Sequence, residues 1–404
     1  MRSQDKPDEQ GFTLVEIMVA TAITSVIVLA GMAALTITGK AVRANEQISD
    51  SQQNARMAME MITHDIKMAG FGPPIDPSQN PPPVGNCGIG GIPVPILPGD
   101  NNPTAGVNDT GPDQISLVVP LTVYAAPGIT AWQTTAPLGG GAAFALVPIN
   151  AILPAMTAAG FVPGSFISLG GIVMAQVQAA AAPIVLTAPV PASRRIPVGT
   201  QVYILQCITY QVIPQQAGGT PGADINNICG GNAPCLVRGI ANAVANTFGR
   251  TLPNCNVPNS PCLPIVDGIE DIQLSYACDG CRPAGGIDEP NGQIDDVDLS
   301  LNFNQGDYIS NQIWNNPPMT PSSIKMVQVS IVARQQSIDN GLGEGNSQAG
   351  PGVLSSNFLT VDDHPHVGGV FVAGDSGAQI PPYASVRRRV VTRTVETRNA
   401  RPWS

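Results

Sequence analysis

Hydrophobic and polar positions divide this chain into three regimes. The 23 residues from Ile17 to Gly39 carry no charge. Wound as a helix, that run is roughly 35 Å long, enough to cross a hydrocarbon core of about 30 Å. It is longer than the apolar core of a secretory signal peptide. Ala33-Ala34-Leu35 imitates a cleavage site, but the helical pattern runs on through it. From Lys40 the chain turns polar and keeps the helical period. Ala55, Met59, Ile62, Ile66 and Ala69 step by four, three, four and three, so they share one face. Arg56 and Glu60 form an i,i+4 surface pair. No proline occurs from Phe12 to Phe71, and Gly70, Gly72, Pro73 and Pro74 then end the pattern. The prediction is one helix over 12–69, membrane-spanning over 12–39 and amphipathic over 40–69, with its apolar stripe laid on a β-sheet.

Residues 70–112 are rich in Pro, Gly and Asn and have little periodicity, which predicts a connector rather than an array of strands. From 113 to 404 the period becomes two. Ile115, Leu117, Val119, Leu121 and Val123 recur at alternate positions, with Pro120 pointing to an edge or bulge. Further strands are expected over 165–177, 183–188, 200–213, 235–240, 269–277, 324–334 and 386–397. No repeat of 20–50 residues argues for a propeller or solenoid.

Composition sharpens this reading. The 404 residues suit two domains or one large one, and 43% apolar residues allow a sizeable core. Charged residues are only 12%, while Gly numbers 43 and Pro 39, a balance of strands, turns and long loops. A net charge of −10 argues against a dedicated nucleic-acid binder. The eight cysteines all lie beyond residue 86 and fit an oxidising compartment. Eight cysteines allow 105 pairings. Closeness in sequence nominates Cys229–Cys235, Cys255–Cys262 and Cys278–Cys281, which leaves Cys87 with Cys207.

An ionisable residue at the mouth of an apolar span is a functional candidate. Here it is Glu16, in Gly11-Phe12-Thr13-Leu14-Val15-Glu16. The hexapeptide resembles the class III signal of type IV pilins and pseudopilins. The resemblance implies a leader over 1–11, cleavage between Gly11 and Phe12 by a prepilin peptidase, N-methylation of Phe12, and an assembly role for Glu16. The leader departs from the family in being net acidic, with Arg2 and Lys6 against Asp5, Asp8 and Glu9. Orientation is therefore taken from the resemblance and not from positive charge.

Three further blocks are similar to PilW-like minor pilins: Asp65-Ile66-Lys67-Met68-Ala69-Gly70-Phe71, residues 266–276, and residues 386–399. Residues 75–260 match no family block. The likeness implies an α+β pilin-like fold, a long helix packed on a large antiparallel β-rich, disulfide-containing head. It implies a minor pilin that primes type IV pilus assembly and contributes to a tip complex, with adhesion, twitching motility and DNA uptake following by association. Other minor and major pilins, a tip adhesin and the prepilin peptidase are the implied partners. The implied location is the inner membrane, with a periplasmic head, and then the pilus. A J-class type II secretion pseudopilin shares the plan and is the alternative.

Other chemistry is sparse. Cys278-Asp279-Gly280-Cys281 lacks the βαβ setting of a thiol oxidoreductase, and a zinc site from Cys255, Cys262, Cys278 and Cys281 has unusual spacing. No cofactor is expected. The foremost metal candidate is calcium on Asp288, Asn291, Asp295 and Asp298, in an acidic loop that does not follow the EF-hand pattern and reads first as an exposed turn. Asp362-Asp363-His364-Pro365-His366 reads as a polar loop, and Arg387–Arg389, Arg393 and Arg398 as a basic strand. No catalytic triad, phosphate loop or paired acid–base carboxylates occur, so no enzyme is expected. A membrane-anchored metal or thiol enzyme is the rival class.

Overall fold

The computed structural model describes residues 13–72, 88–89, 92–99, 111–120, 132–134, 143–144, 146–148, 163–179, 184–190, 192–213, 228–229, 233–240, 262–281, 290–300, 302–310, 312–314, 319–335, 360–365 and 388–397. One helix, α1 (Leu14–Met68), runs 55 residues without a break. The chain divides into two compact units after Asp50. The first holds α1 as far as Asp50. The second is the head, whose core includes the last turns of the same helix.

The strands follow in order: β1 (Gly88–Ile89), β2 (Ile92–Pro93), β3 (Ile96–Gly99), β4 (Gln114–Pro120), β5 (Trp132–Thr134), β6 (Ala143–Phe144), β7 (Leu146–Pro148), β8 (Phe166–Leu169) and β9 (Val173–Ala179). Then come β10 (Ile184–Leu186), β11 (Gln201–Ile213), β12 (Cys235–Ile240), β13 (Cys262–Asp267), β14 (Ile269–Cys278), β15 (Ile324–Arg334), β16 (Thr360–Val361), β17 (His364–Pro365) and β18 (Arg388–Glu396).

Eleven strands form one antiparallel sheet around the 13-residue β11. One edge of β11 pairs β8 and then β12, and the other pairs β5 and then β4. A second sheet has the order β14-β15-β18. Gly268, with φ 76°, passes the chain from β13 into β14. Its positive φ is a turn that a side chain would resist.

The main core draws on α1 and on both sheets. Ala55, Ala58, Met59, Ile62, Ile66 and Ala69 lie with Ile115 and Leu117 of β4, Ile208 and Tyr210 of β11, Leu274 and Tyr276 of β14, and Val327 and Val329 of β15. All five stripe residues expected from the helical period are at most 3% exposed. Met59, Ile62 and Ile66 each contribute about 1.5–3 kcal/mol by leaving water.

The structure differs from the sequence reading in several places; β5, β6, β7 and β16 were not expected, and the stretch read as a polar loop over 362–366 contains β17. Residues 70–112, read as connector, contain β1, β2 and β3, and β3 pairs with β4 over Ile96–Gly99. The expected strand over 165–177 is a hairpin, β8 and β9, turned at Gly170 and Gly171. β13 was not anticipated, because Pro264 interrupts an already short apolar run.

Candidate assembly helix

The start of α1 is built by Thr13. Its Oγ1 accepts the Glu16 N–H at 3.3 Å, and its carbonyl accepts the N–H of Glu16 at 3.1 Å and of Ile17 at 3.2 Å. Thr-x-x-Glu is the spacing of a capping box, so Glu16 also stands where the helix dipole favours a carboxylate. Sequence reasoning treated Glu16 as an assembly residue and missed this local role. Gly11 and Phe12 lie outside the described residues.

Every residue from Thr13 to Arg43 is exposed, with Leu14 at 74% and Leu35 at 75%. The helix is long and apolar enough to cross a membrane by length and composition. Its hydroxyls obey the same logic. Thr21, Thr24, Ser25, Thr36 and Thr38 each donate to the carbonyl four residues earlier, at 2.7–2.9 Å. These are all the hydroxyls between Ile17 and Gly39. No hydroxyl donor in the span needs water, as a non-aqueous surrounding requires.

In the head, Asp65 pins α1 to the large sheet. Its Oδ2 accepts from Tyr210 Oη at 2.6 Å and from Arg238 Nε at 3.1 Å. Tyr210 comes from β11 and Arg238 from β12. Asn54 Nδ2 donates to the Asp267 carbonyl at 3.0 Å. Burial, and then the Asp65 charge, push the Tyr210 phenol well above its ordinary value. We expect Tyr210→Phe to cost about 2 kcal/mol at neutral pH, the worth of a hydrogen bond to a charged group. The unfolded chain releases its phenolic proton near pH 10, and the folded chain holds it to higher pH. The tyrosine's contribution is therefore intact below about pH 10 and is lost above it, so the gap between wild type and variant narrows there. Urea unfolding at pH 7, 9 and 11 checks this, and a gap independent of pH would refute it.

The helix ends in a turn that only glycine fits well. Gly70 has φ 72° and Gly72 φ 105°, and the Gly70 N–H donates to the Val118 carbonyl at 3.1 Å. A Cβ on Gly72 would meet Ser168 Oγ at 2.9 Å and the Val173 carbonyl carbon at 3.0 Å. Between the two glycines, the Phe71 ring meets Tyr203 edge-on at 5.3 Å. The Asp65-to-Phe71 block thus holds both the pin and the turn.

Disulfides join Cys229 to Cys235 and Cys278 to Cys281, with Cα atoms 5.6 and 5.9 Å apart. Cys207 and Cys262 are also disulfide-bonded, while Cys87 and Cys255 lie outside the described residues. None of the described cysteines is a free thiol.

Of the expected calcium ligands, Asp295 and Asp298 fall in two different groups of side chains. Asp295 is 6% exposed and accepts the N–H groups of Gly280 at 3.1 Å and Cys281 at 2.8 Å. Asp279 reciprocates, accepting the N–H groups of Asn291 at 2.9 Å and Gly292 at 3.1 Å. This double clasp ties the acidic loop to the disulfide turn. Asn291 Oδ1 accepts the Gln293 N–H at 2.8 Å. Asp298 instead lies with Asp296 and Asp307, their carboxylate oxygens within 4.8 Å of one another. Hydrogen bonds from Ser300 and Asn304 hold the Asp298 carboxyl below its ordinary value. Asp307 accepts the N–H groups of Val297 and Asn304, both at 2.7 Å. Asp288 lies outside the described residues.

Asp362 turns the β16–β17 hairpin with φ 56°. Of the expected basic strand, Arg388 is 4% exposed and binds Glu270 through two bonds of 2.7 and 3.1 Å, with Arg334 at 3.9 Å from the same carboxylate. Arg389 and Arg393 are exposed. Arg387 and Arg398 lie outside the described residues.

Against this geometry, the comparisons with known proteins cover a small part of the chain. Residues 6–32 match the prokaryotic N-terminal methylation motif. The chain is similar to the "Pilin-like protein PilA3" of Thermus thermophilus, with 39% identity over 62 residues. That alignment covers 15% of this chain and 27% of the relative, so the chain matches about a quarter of the relative's length. No solved structure matches the chain significantly. The described part of the N-terminal methylation motif, residues 13–32, is the capped and exposed start of the apolar helix.

Proposed function

We propose that this chain is a minor pilin that helps to prime type IV pilus assembly and contributes to the tip complex. Prepilin peptidase removes residues 1–11, Phe12 is methylated, and the mature subunit waits in the inner membrane with its head in the periplasm. It then joins other pilins through the span. The single observation that carries the reading is the methylation motif on a helix exposed along its whole apolar length. An exposed surface of that size needs either lipid or neighbouring helices.

The test is direct. In a strain producing filaments, mass spectrometry of the sheared fraction should find a mature chain beginning at N-methyl-Phe12, and deletion of the gene should lower filament number. Gly11→Leu should block processing, leaving a precursor heavier by the leader. Detection of the chain only in a secretion-system pseudopilus, with pili unchanged, would replace this reading by the J-class one. A mature mass unaltered by Gly11→Leu would refute the processing step.

A further inference from the structure

The second sheet ends on β18. It pairs β15 in continuous antiparallel register from Arg388↔Arg334 to Glu396↔Met326, with no bulge. Among the described residues no strand lies on its other edge. Both ends are fastened. Arg388 is held by Glu270, and Thr397 donates through Oγ1 to the carbonyls of Ile324 at 3.0 Å and Lys325 at 2.9 Å. The middle is open, with Arg389, Val390, Thr392, Arg393 and Thr394 exposed. A nine-residue edge without proline or bulge is a template for another strand.

Charge says which strand. Arg389, Val391, Arg393 and Val395 share one face. Val391 and Val395 are turned to the core, and the two arginines alternate with them. If two copies paired antiparallel about Val391, Arg389 would oppose Arg393 twice over, a like-charge arrangement that disfavours self-pairing. The same two positions would favour a strand with carboxylates four residues apart. We propose that the free edge of β18 docks an extended acidic segment of a different subunit, by main-chain pairing with Arg389 and Arg393 setting the register. The occupant's being a subunit rests on the filament reading above, but the edge can be tested without filaments.

The probe is a fluorescent 11-residue peptide of alternating Thr and Val with Glu at two positions four apart, titrated into the full mature chain in nonionic micelles. We expect it to bind, Arg389→Glu/Arg393→Glu to weaken it about tenfold or more, and the Arg→Lys pair to change it little. A copy of the peptide N-methylated on its pairing amides should bind about tenfold more weakly or not at all, because the ladder cannot form. Both arginines are exposed, so thermal unfolding of the variants should match wild type and separates docking from folding. Three results would overturn the proposal: no binding, equal binding of the N-methylated peptide, or indifference to Arg→Glu. Displacement of the peptide by dihexanoyl phosphatidylglycerol, together with equal binding of the N-methylated form, would assign the patch to anionic lipid headgroups. A gene deletion that left pili intact would sink the filament reading alone.

Discussion

Glu16→Ala should leave the protein in the membrane fraction at the wild-type level, with Phe12 processed, and remove most of it from sheared filaments. Glu16 is exposed in the first turn of α1, and its carboxylate has no partner among the described residues. In a bundle of helices the span exchanges lipid for a protein interior of low dielectric, where a lone carboxylate costs several kcal/mol. The mature chain would offer its own counter-charge, the amine of Phe12. That amine lies four residues before Glu16 in the sequence, so an axially staggered neighbour can bring its own amine to this carboxylate. The ion pair then acts as a check on register. Thr13 complicates the test, because its spacing to Glu16 is that of a capping box. Glu16→Gln separates the two roles, since an amide can still cap but cannot pair as an anion. If pairing is the function, Glu16→Gln is as defective as Glu16→Ala. Near-normal recovery of Glu16→Gln in filaments would make the residue a cap and refute the register role. Loss of either variant from the membrane would place it in insertion.

Glu270→Ala should destabilise the head by about 3–5 kcal/mol, the usual result of removing one partner from a buried ion cluster. The side chains of Glu270, Arg334 and Arg388 are each at most 5% exposed, so alanine removes a carboxylate that faces two buried guanidinium groups. Removing the opposing charge as well should recover part of the loss. Glu270→Ala/Arg388→Ala is accordingly expected to be more stable than Glu270→Ala alone. Urea unfolding of the mature chain in micelles gives both numbers. A single-variant loss below about 1 kcal/mol would mean that water reaches the cluster in solution.

How much could be read from the sequence follows from how many faces of each element are covered. The stripe from Ala55 to Ala69 was legible because the other side of α1 is polar, so the period stands out. β11 and β15 were legible as long β-branched runs. β3 was not, since Leu97-Pro98-Gly99 reads as a turn and its pairing depends on β4. β14 was found, but its surroundings were not foreseen. All ten of its residues are buried, including Glu270, Asp271, Gln273 and Ser275, so its alternation does not report a wet face. Asp65 looked like one more polar helix residue, and its role needs Tyr210 and Arg238, 145 and 173 positions away. One residue of the calcium reading has a structural role hidden for a related reason. Asp295 serves a turn that proximity in sequence could not reveal. The methylation motif was the opposite case, a local signal read by local chemistry.

The inward-bonded hydroxyls of the span have a thermodynamic consequence. A helix that presents only methyl and methylene groups, with each hydroxyl donor closed on its own backbone, meets acyl chains and neighbouring helices on nearly equal terms. Its transfer between the two is close to a partition between like solvents, with no hydrogen bond to break in either direction. Such a subunit can be loaded into an assembly and returned to the bilayer without a large hydration barrier. From Leu14 to Gly39 the one side chain that tells the two surroundings apart is Glu16.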